Sequence, residues 1–117
     1  GLLGHALEMA KASNVSIELN SKDIPIIDGA IDFAKMGIIP AGMYKNRDYI
    51  SKDVSSEGID EALEDVLYDP QTSGGLLVSV PSEYADELIK DMLKNGSIEA
   101  KIIGEVKNKE DKYIKVK

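Results

Sequence analysis

The sequence has no cysteine, so disulfides, thiolate metal sites and a cysteine nucleophile are all excluded within it. An oxidising compartment is therefore not required, and the cytoplasm is the expected location. No apolar run approaches the ~20 residues that span a bilayer, and no secretory leader is visible. Positive charge is in the minority: 14 basic against 21 acidic residues leave a formal net charge of −7. A nucleic-acid partner is not expected, because no positive field is available to replace phosphate counterions. The single histidine, His5, has no cysteine or second histidine with which to close a metal site. Neither a repeat nor a low-complexity linker interrupts the 117 residues. Their 43% hydrophobic and 30% charged content suits one globular domain, or a piece of a larger one.

Leu3, Ala6, Leu7 and Ala10 recur at helical spacing almost from the first residue. No Ser, Thr, Asp or Asn precedes them as a cap, and no initiator Met is present. The expectation is a helix whose upstream cap belongs to a longer polypeptide; the alternative is that Gly1 itself serves as a weak cap.

After Ser13-Asn14, the alternation of Val15, Ile17 and Leu19 with Ser16 and Glu18 predicts a half-buried strand. Asp23-Ile24-Pro25 opens a second predicted helix with Ile27, Ala30, Ile31 and Ala34 inward, and Gly37 ends it in the left-handed conformation. Residues 37–52, broken by Gly37, Pro40 and Gly42, read as a long loop with a short extended portion. Ser55-Ser56 precede a third helix with Ile59, Ala62, Leu63 and Val66 inward. Its acids Glu57, Asp60, Glu61, Glu64 and Asp65 read most simply as a solvated face. Leu76–Val80 reads as a buried strand, and Ser82 as the cap of a fourth helix. That helix turns Ala85, Leu88, Ile89 and Met92 inward and stops at Gly96. Ala100–Val106 and Tyr113–Val116 are expected to form an antiparallel hairpin. Six lysines between Lys101 and Lys117 read as solvent-facing edge charges that discourage strand aggregation. The predicted class is α+β: a mixed or antiparallel sheet with helices on one face.

Chemistry concentrates in Asp69-Pro70-Gln71-Thr72-Ser73-Gly74-Gly75. Paired glycines let the backbone approach a ligand, and Gln71, Thr72 and Ser73 add donors and acceptors suited to an anion such as phosphate. No Gly-Lys-Ser/Thr follows and a strand comes next, so this is not a P-loop; an ordinary tight turn is the alternative. Ser73 lacks the Gly-x-Ser-x-Gly setting of a nucleophile. His5, with Glu8 three residues on, is either a solvent-facing helix residue or a base. Gly1 and Gly4 beside it suggest close approach, since glycine weakens a helix. Asn46 and Arg47 offer an amide and a planar fork for phosphate or carboxylate, unless Arg47 pairs with Asp48 or another acid.

Three segments occur together: Gly1-Leu2-Leu3-Gly4-His5-Ala6, Gly37-Ile38-Ile39-Pro40-Ala41-Gly42-Met43-Tyr44-Lys45-Asn46-Arg47, and Asp69-Pro70-Gln71-Thr72-Ser73-Gly74-Gly75-Leu76-Leu77. In this order and spacing, the chain resembles the C-terminal domain of the selenophosphate synthetase (selenide, water dikinase) family over essentially all its residues. The resemblance implies a two-domain enzyme that converts ATP, selenide and water to selenophosphate, AMP and phosphate. It implies dimerisation through N-terminal domains and ATP bound between the two domains. Residues 1–117 would be the single C-terminal domain. The nucleophile, its partner Lys, the glycine-rich loop and most Mg²⁺-binding aspartates would lie upstream, with no catalytic residue or metal ligand here. By the same resemblance, Gln71, Thr72, Ser73, Gly74 and Gly75 would line the cleft and meet phosphate or the selenium-bearing group. Gly4 and His5 would pack beside an upstream aspartate segment, and Asn46 and Arg47 would close one wall. The chain alone is expected to be inactive. The alternatives are another ATP-dependent enzyme of the superfamily, like aminoimidazole ribonucleotide synthetase or thiamine-monophosphate kinase, or a non-catalytic acidic protein-binding domain.

Overall fold

The four apolar residues at helical spacing are all buried in the first helix, α1 (Leu2–Ser13). The computed structural model describes all 117 residues. Gly1 stands at the helix N-cap with no side-chain hydrogen bond, while its carbonyl accepts from His5 N–H at 3.1 Å. Asn14 closes α1 in the left-handed conformation, φ 52°. The chain then enters β1 (Val15–Leu19). Ile17 and Leu19 face α1 and join Leu3, Leu7, Ile114 and Val116 in the core.

Ser21–Asp23 form one 3₁₀ turn, held by Asn20, and the second helix is short: α2 (Ala30–Lys35). The expected start at Asp23-Ile24-Pro25 is too early. Gly29 takes φ 82° just before α2, and Ile27 is 84% exposed instead of inward. Gly37 does end the helix at φ 74°.

Residues 41–50, read as part of a loop, are helical: α3 (Ala41–Ile50), entered from Pro40. Met43, Asn46, Arg47 and Ile50 occupy one helical face, and only its two end members are apolar. The periodicity is real but half polar. A second 3₁₀ turn, Ser51–Asp53, leads to β2 (Val54–Ser55).

The next helix, α4 (Glu61–Leu67), starts later than expected because Asp60 caps it, its Oδ1 accepting from Ala62 N–H at 3.1 Å and Leu63 N–H at 3.4 Å. α2 packs against it. One residue of the supposed solvated face is buried, Asp65.

Leu76–Val80 is not a buried strand. No backbone hydrogen bond joins it to the sheet, and Leu76 is 92% exposed. The fourth predicted helix is present as α5 (Ser82–Lys94), with Pro81 rather than Ser82 at the cap and Gly96 following at φ 94°. Its apolar face is only half-buried.

The last two strands are β3 (Gly104–Asn108) and β4 (Ile114–Val116), and they do not form a hairpin. β1 lies between them: the sheet order is β2-β4-β1-β3. β1 runs antiparallel to β3, with Val15 opposite Asn108 and Leu19 opposite Gly104. It runs parallel to β4, with Ile17 opposite Ile114; β2 pairs parallel with the other side of β4. The connection crosses the end of β1, where the buried Ser16 ties it down. Ser16 Oγ donates to Lys112 O at 2.6 Å and accepts from Glu110 N–H at 2.8 Å. The sheet is therefore mixed, with α1 on the face of Ile17 and Ile114. Lys107 sits on edge strand β3 as expected, but Lys115 is on inner strand β4, half-buried and ion-paired to Glu110. No helix is long and apolar enough to cross a membrane.

Candidate functional site

The start of α1, the start of α3 and the chain leaving α4 converge on one corner. A Cβ at Gly1 would overlap the carbonyl oxygen of Asp69, and a Cβ at Gly42 would come within 2.7 Å of Pro70 Cγ. Only glycine lets both helix ends approach residues 69–70 this closely. Asn46 Nδ2 donates to Tyr68 O at 2.9 Å. Arg47 forms an ion pair with Asp65, and its guanidinium carbon lies 5.4 Å from the centre of the Tyr68 ring. Three segments far apart in sequence thus meet around residues 65–70.

Arg47 is therefore engaged by an acid from another helix, not by Asp48. Tyr68 is 2% exposed, and this burial, reinforced by Glu64 and opposed by Arg47, pushes its hydroxyl above the ordinary tyrosine range. Asp65 and Tyr68 are the two members of this corner that sequence reasoning passed over. Their signal was weak: Asp65 on α4 and Tyr68 just past its end lie one helical turn apart, immediately before Asp69.

Beyond Tyr68, Gln71 N–H donates back to Asp69 O at 2.9 Å. The Gln71 side-chain amide folds over Gly74, so that a Cβ there would meet Gln71 Oε1 at 2.7 Å. Thr72, Ser73, Gly74 and Gly75 are exposed, and nothing lies within 4 Å of a Cβ on Gly75. The turn presents hydroxyls, an amide and uncovered backbone N–H groups. Such a donor set suits an anion, in particular phosphate.

On α1, Gly4 has open space where a Cβ would point, and the His5 side chain is 74% exposed with Nδ1 3.1 Å from Glu8 Oε2. These two residues sit in the first turns of the helix that abuts Asp69. A hollow of about 410 Å³ opens elsewhere, at the end of β1 between Glu18, Asp23 and Glu105, and includes none of these residues.

A mixed sheet backed by helices, with a glycine-rich turn displayed at the meeting point of two helix N-termini, defines an α+β domain with an exposed glycine-rich corner. More specifically, the chain matches the family described as "AIR synthase related protein, C-terminal domain" over residues 1–117, and it belongs to that family. It is 68% identical over 117 residues to the "Selenide, water dikinase" of Clostridioides difficile (strain 630), covering 99% of this chain and 34% of that protein. It is 60% identical over 114 residues to "Selenide, water dikinase 2" of Peptoclostridium acidaminophilum, covering 97% of this chain and 33% of the relative. Identity to the Treponema denticola "Selenide, water dikinase" is 42% over 120 residues, covering 99% and 34%. The chain spans about a third of the length of these relatives. The resemblance carried by the three motifs extends over the whole chain.

Proposed function

We propose that this chain is the C-terminal domain of an ATP-dependent selenide, water dikinase, and that its Gln71–Gly75 turn forms one wall of the active-site cleft. In this reading, the complete protein converts ATP, selenide and water to selenophosphate, AMP and phosphate. One observation carries it: the turn Asp69–Gly75, with its phosphate-compatible donors, is anchored by α1 and α3 at an open corner of a chain 68% identical to a selenide, water dikinase. Hydroxyls of Thr72 and Ser73 and N–H groups of Gly74 and Gly75 would donate to phosphate oxygens. Gly4 and His5, on the helix that abuts Asp69, would face the upstream part of the polypeptide.

ATP and Mg²⁺ belong to this reading as groups held mainly by the upstream part. Mg²⁺ supplies charge neutralisation on the transferring phosphoryl group when bound. The residues of this chain orient and exclude water; none serves as nucleophile. Phosphoryl transfer relies on positioning and on cations that offset developing negative charge. A chain with net charge −7 supplies little of either, so the domain by itself is expected to form no AMP from ATP and selenide. Homodimerisation through the upstream part and a cytoplasmic location complete the proposal.

The test is steady-state kinetics of the full-length protein carrying Ser73→Ala, Gly74→Ala or Arg47→Ala. Reduced selenide-dependent AMP formation is expected in each. Wild-type kinetics in all three would remove the cleft assignment, and AMP formation by the isolated domain would remove the division of labour.

A further inference from the structure

We infer that Asp65 is a positioning residue: through Arg47 it fixes the direction in which the Asp69–Gly75 turn leaves α4. The inference rests on the reading of that turn as the phosphate-facing wall.

The placement of Asp65 is costly. Asp65 lies within α4 with its side chain 10% exposed, while Glu61 on the same helix is exposed. A carboxylate so withdrawn from water is tolerated only beside a well-placed cation, and an apolar pair of similar volume would often be as stable. The partner is Arg47, itself 27% exposed, whose Nε is buried with no hydrogen-bond partner. What the ion pair adds over an apolar pair is direction: Arg47 Nη2 is held by Asp65 Oδ1 while the planar guanidinium lies over the Tyr68 ring, so two fixed neighbours confine it.

That orientation is passed to Tyr68. The Arg47 guanidinium stands over the Tyr68 ring at 5.4 Å, and its neighbour Asn46 grips the Tyr68 carbonyl at 2.9 Å. Two successive α3 residues thus hold both ends of the residue that launches the turn. After it, only the Asp69 and Gln71 backbone N–H groups donate, to Val66 O and Asp69 O, before Tyr84 in α5. The turn has almost no internal scaffold. Its direction is set by the grip on Tyr68 and by Pro70 resting on Gly42.

The experiment uses the intact protein with Asp65→Asn, and separately the apolar pair Arg47→Met with Asp65→Leu, which keeps packing if Asp65→Asn fails to fold. The first readout is amide hydrogen exchange. Asp69 and Gln71 N–H, both hydrogen-bonded, should exchange on the order of tenfold faster or more, while Ile17 and Lys117 N–H in the sheet stay unchanged. Equal acceleration at all four sites would mean a general loss of stability and would overturn the inference, as would no acceleration at the first two. The second readout is a double-mutant cycle in kcat/KM with Ser73→Ala. Asp65→Asn alone should cost up to about a hundredfold, as misplacement of a positioning element does. In the Ser73→Ala background it should cost less than about threefold, because the two act through one element. Full multiplicative losses would overturn it. A wild-type protein without selenide-dependent AMP formation would sink the functional reading instead, and the exchange measurement would still decide the role of Asp65.

Discussion

Gly42 rests on the ring of Pro70 so closely that a Cβ at position 42 would come within 2.7 Å of Pro70 Cγ and 3.3 Å of Pro70 Cβ. A proline ring has no flexible end that can swing aside. Gly42→Ala should therefore destabilise the protein by about 1–3 kcal/mol through overpacking, despite the gain in helix propensity. Gly4→Ala is the control: its Cβ would enter open space within α1, and a gain of about 0.5–1 kcal/mol is expected. Urea denaturation of both variants checks the opposite signs.

Ser16→Ala tests the tether that lets the β3–β4 connection pass over β1. The hydroxyl is buried and satisfies both Lys112 O and Glu110 N–H. Its removal strands two backbone groups, at a cost of about 1–3 kcal/mol. The urea midpoint should fall with the slope unchanged.

Acid should weaken the fold through three carboxylates. Lys11 Nζ bonds Asp53 at 2.6 Å and Lys117 Nζ bonds Glu18 at 2.7 Å, while the Lys112 backbone N–H stabilises ionised Asp111. Each interaction holds its carboxylate below the ordinary range. The unfolded chain then binds protons first as pH falls, so this stability is complete above ordinary carboxylate values and is lost through the lower folded ones. Asp53→Asn should shrink the difference in urea midpoint between pH 7 and pH 3; an unchanged difference would count against the assignment.

Alkali should weaken it through Tyr68. Burial raises its pKa above the ordinary value of about 10. The unfolded tyrosine releases its proton first, so stability is complete below that value and declines as pH rises towards the folded one. Lys11, Lys107 and Lys115, raised chiefly by hydrogen bonds to Asp53, Glu105 and Glu110, decline in the same direction. Tyr68→Phe, scanned by thermal unfolding from pH 7 to 11, should lose less stability over that range than wild type.

Local patterns were sufficient for α1, β1 and the body of α5, and for the stops at Gly37 and Gly96. Each is written in contiguous residues: apolar spacing of three and four, alternation of two, and a glycine free to take positive φ. The Asp69–Gly75 turn was legible for the same reason, since its donors and glycines are adjacent. Whether an amphipathic pattern finds a partner is a different matter. The face of α3 contains Asn46 and Arg47, polar residues that become inward-facing only because Asp65 of α4 and the carbonyl of Tyr68, just past its end, receive them. Asp65 looked solvated for the converse reason, that its cation lies 18 residues away. Leu76–Val80 has a strand's composition without a neighbouring backbone to pair with. β3 and β4 are close enough in sequence for a hairpin, yet β1 separates them. Pairing and burial depend on which distant groups fold alongside, and that was decided only in three dimensions.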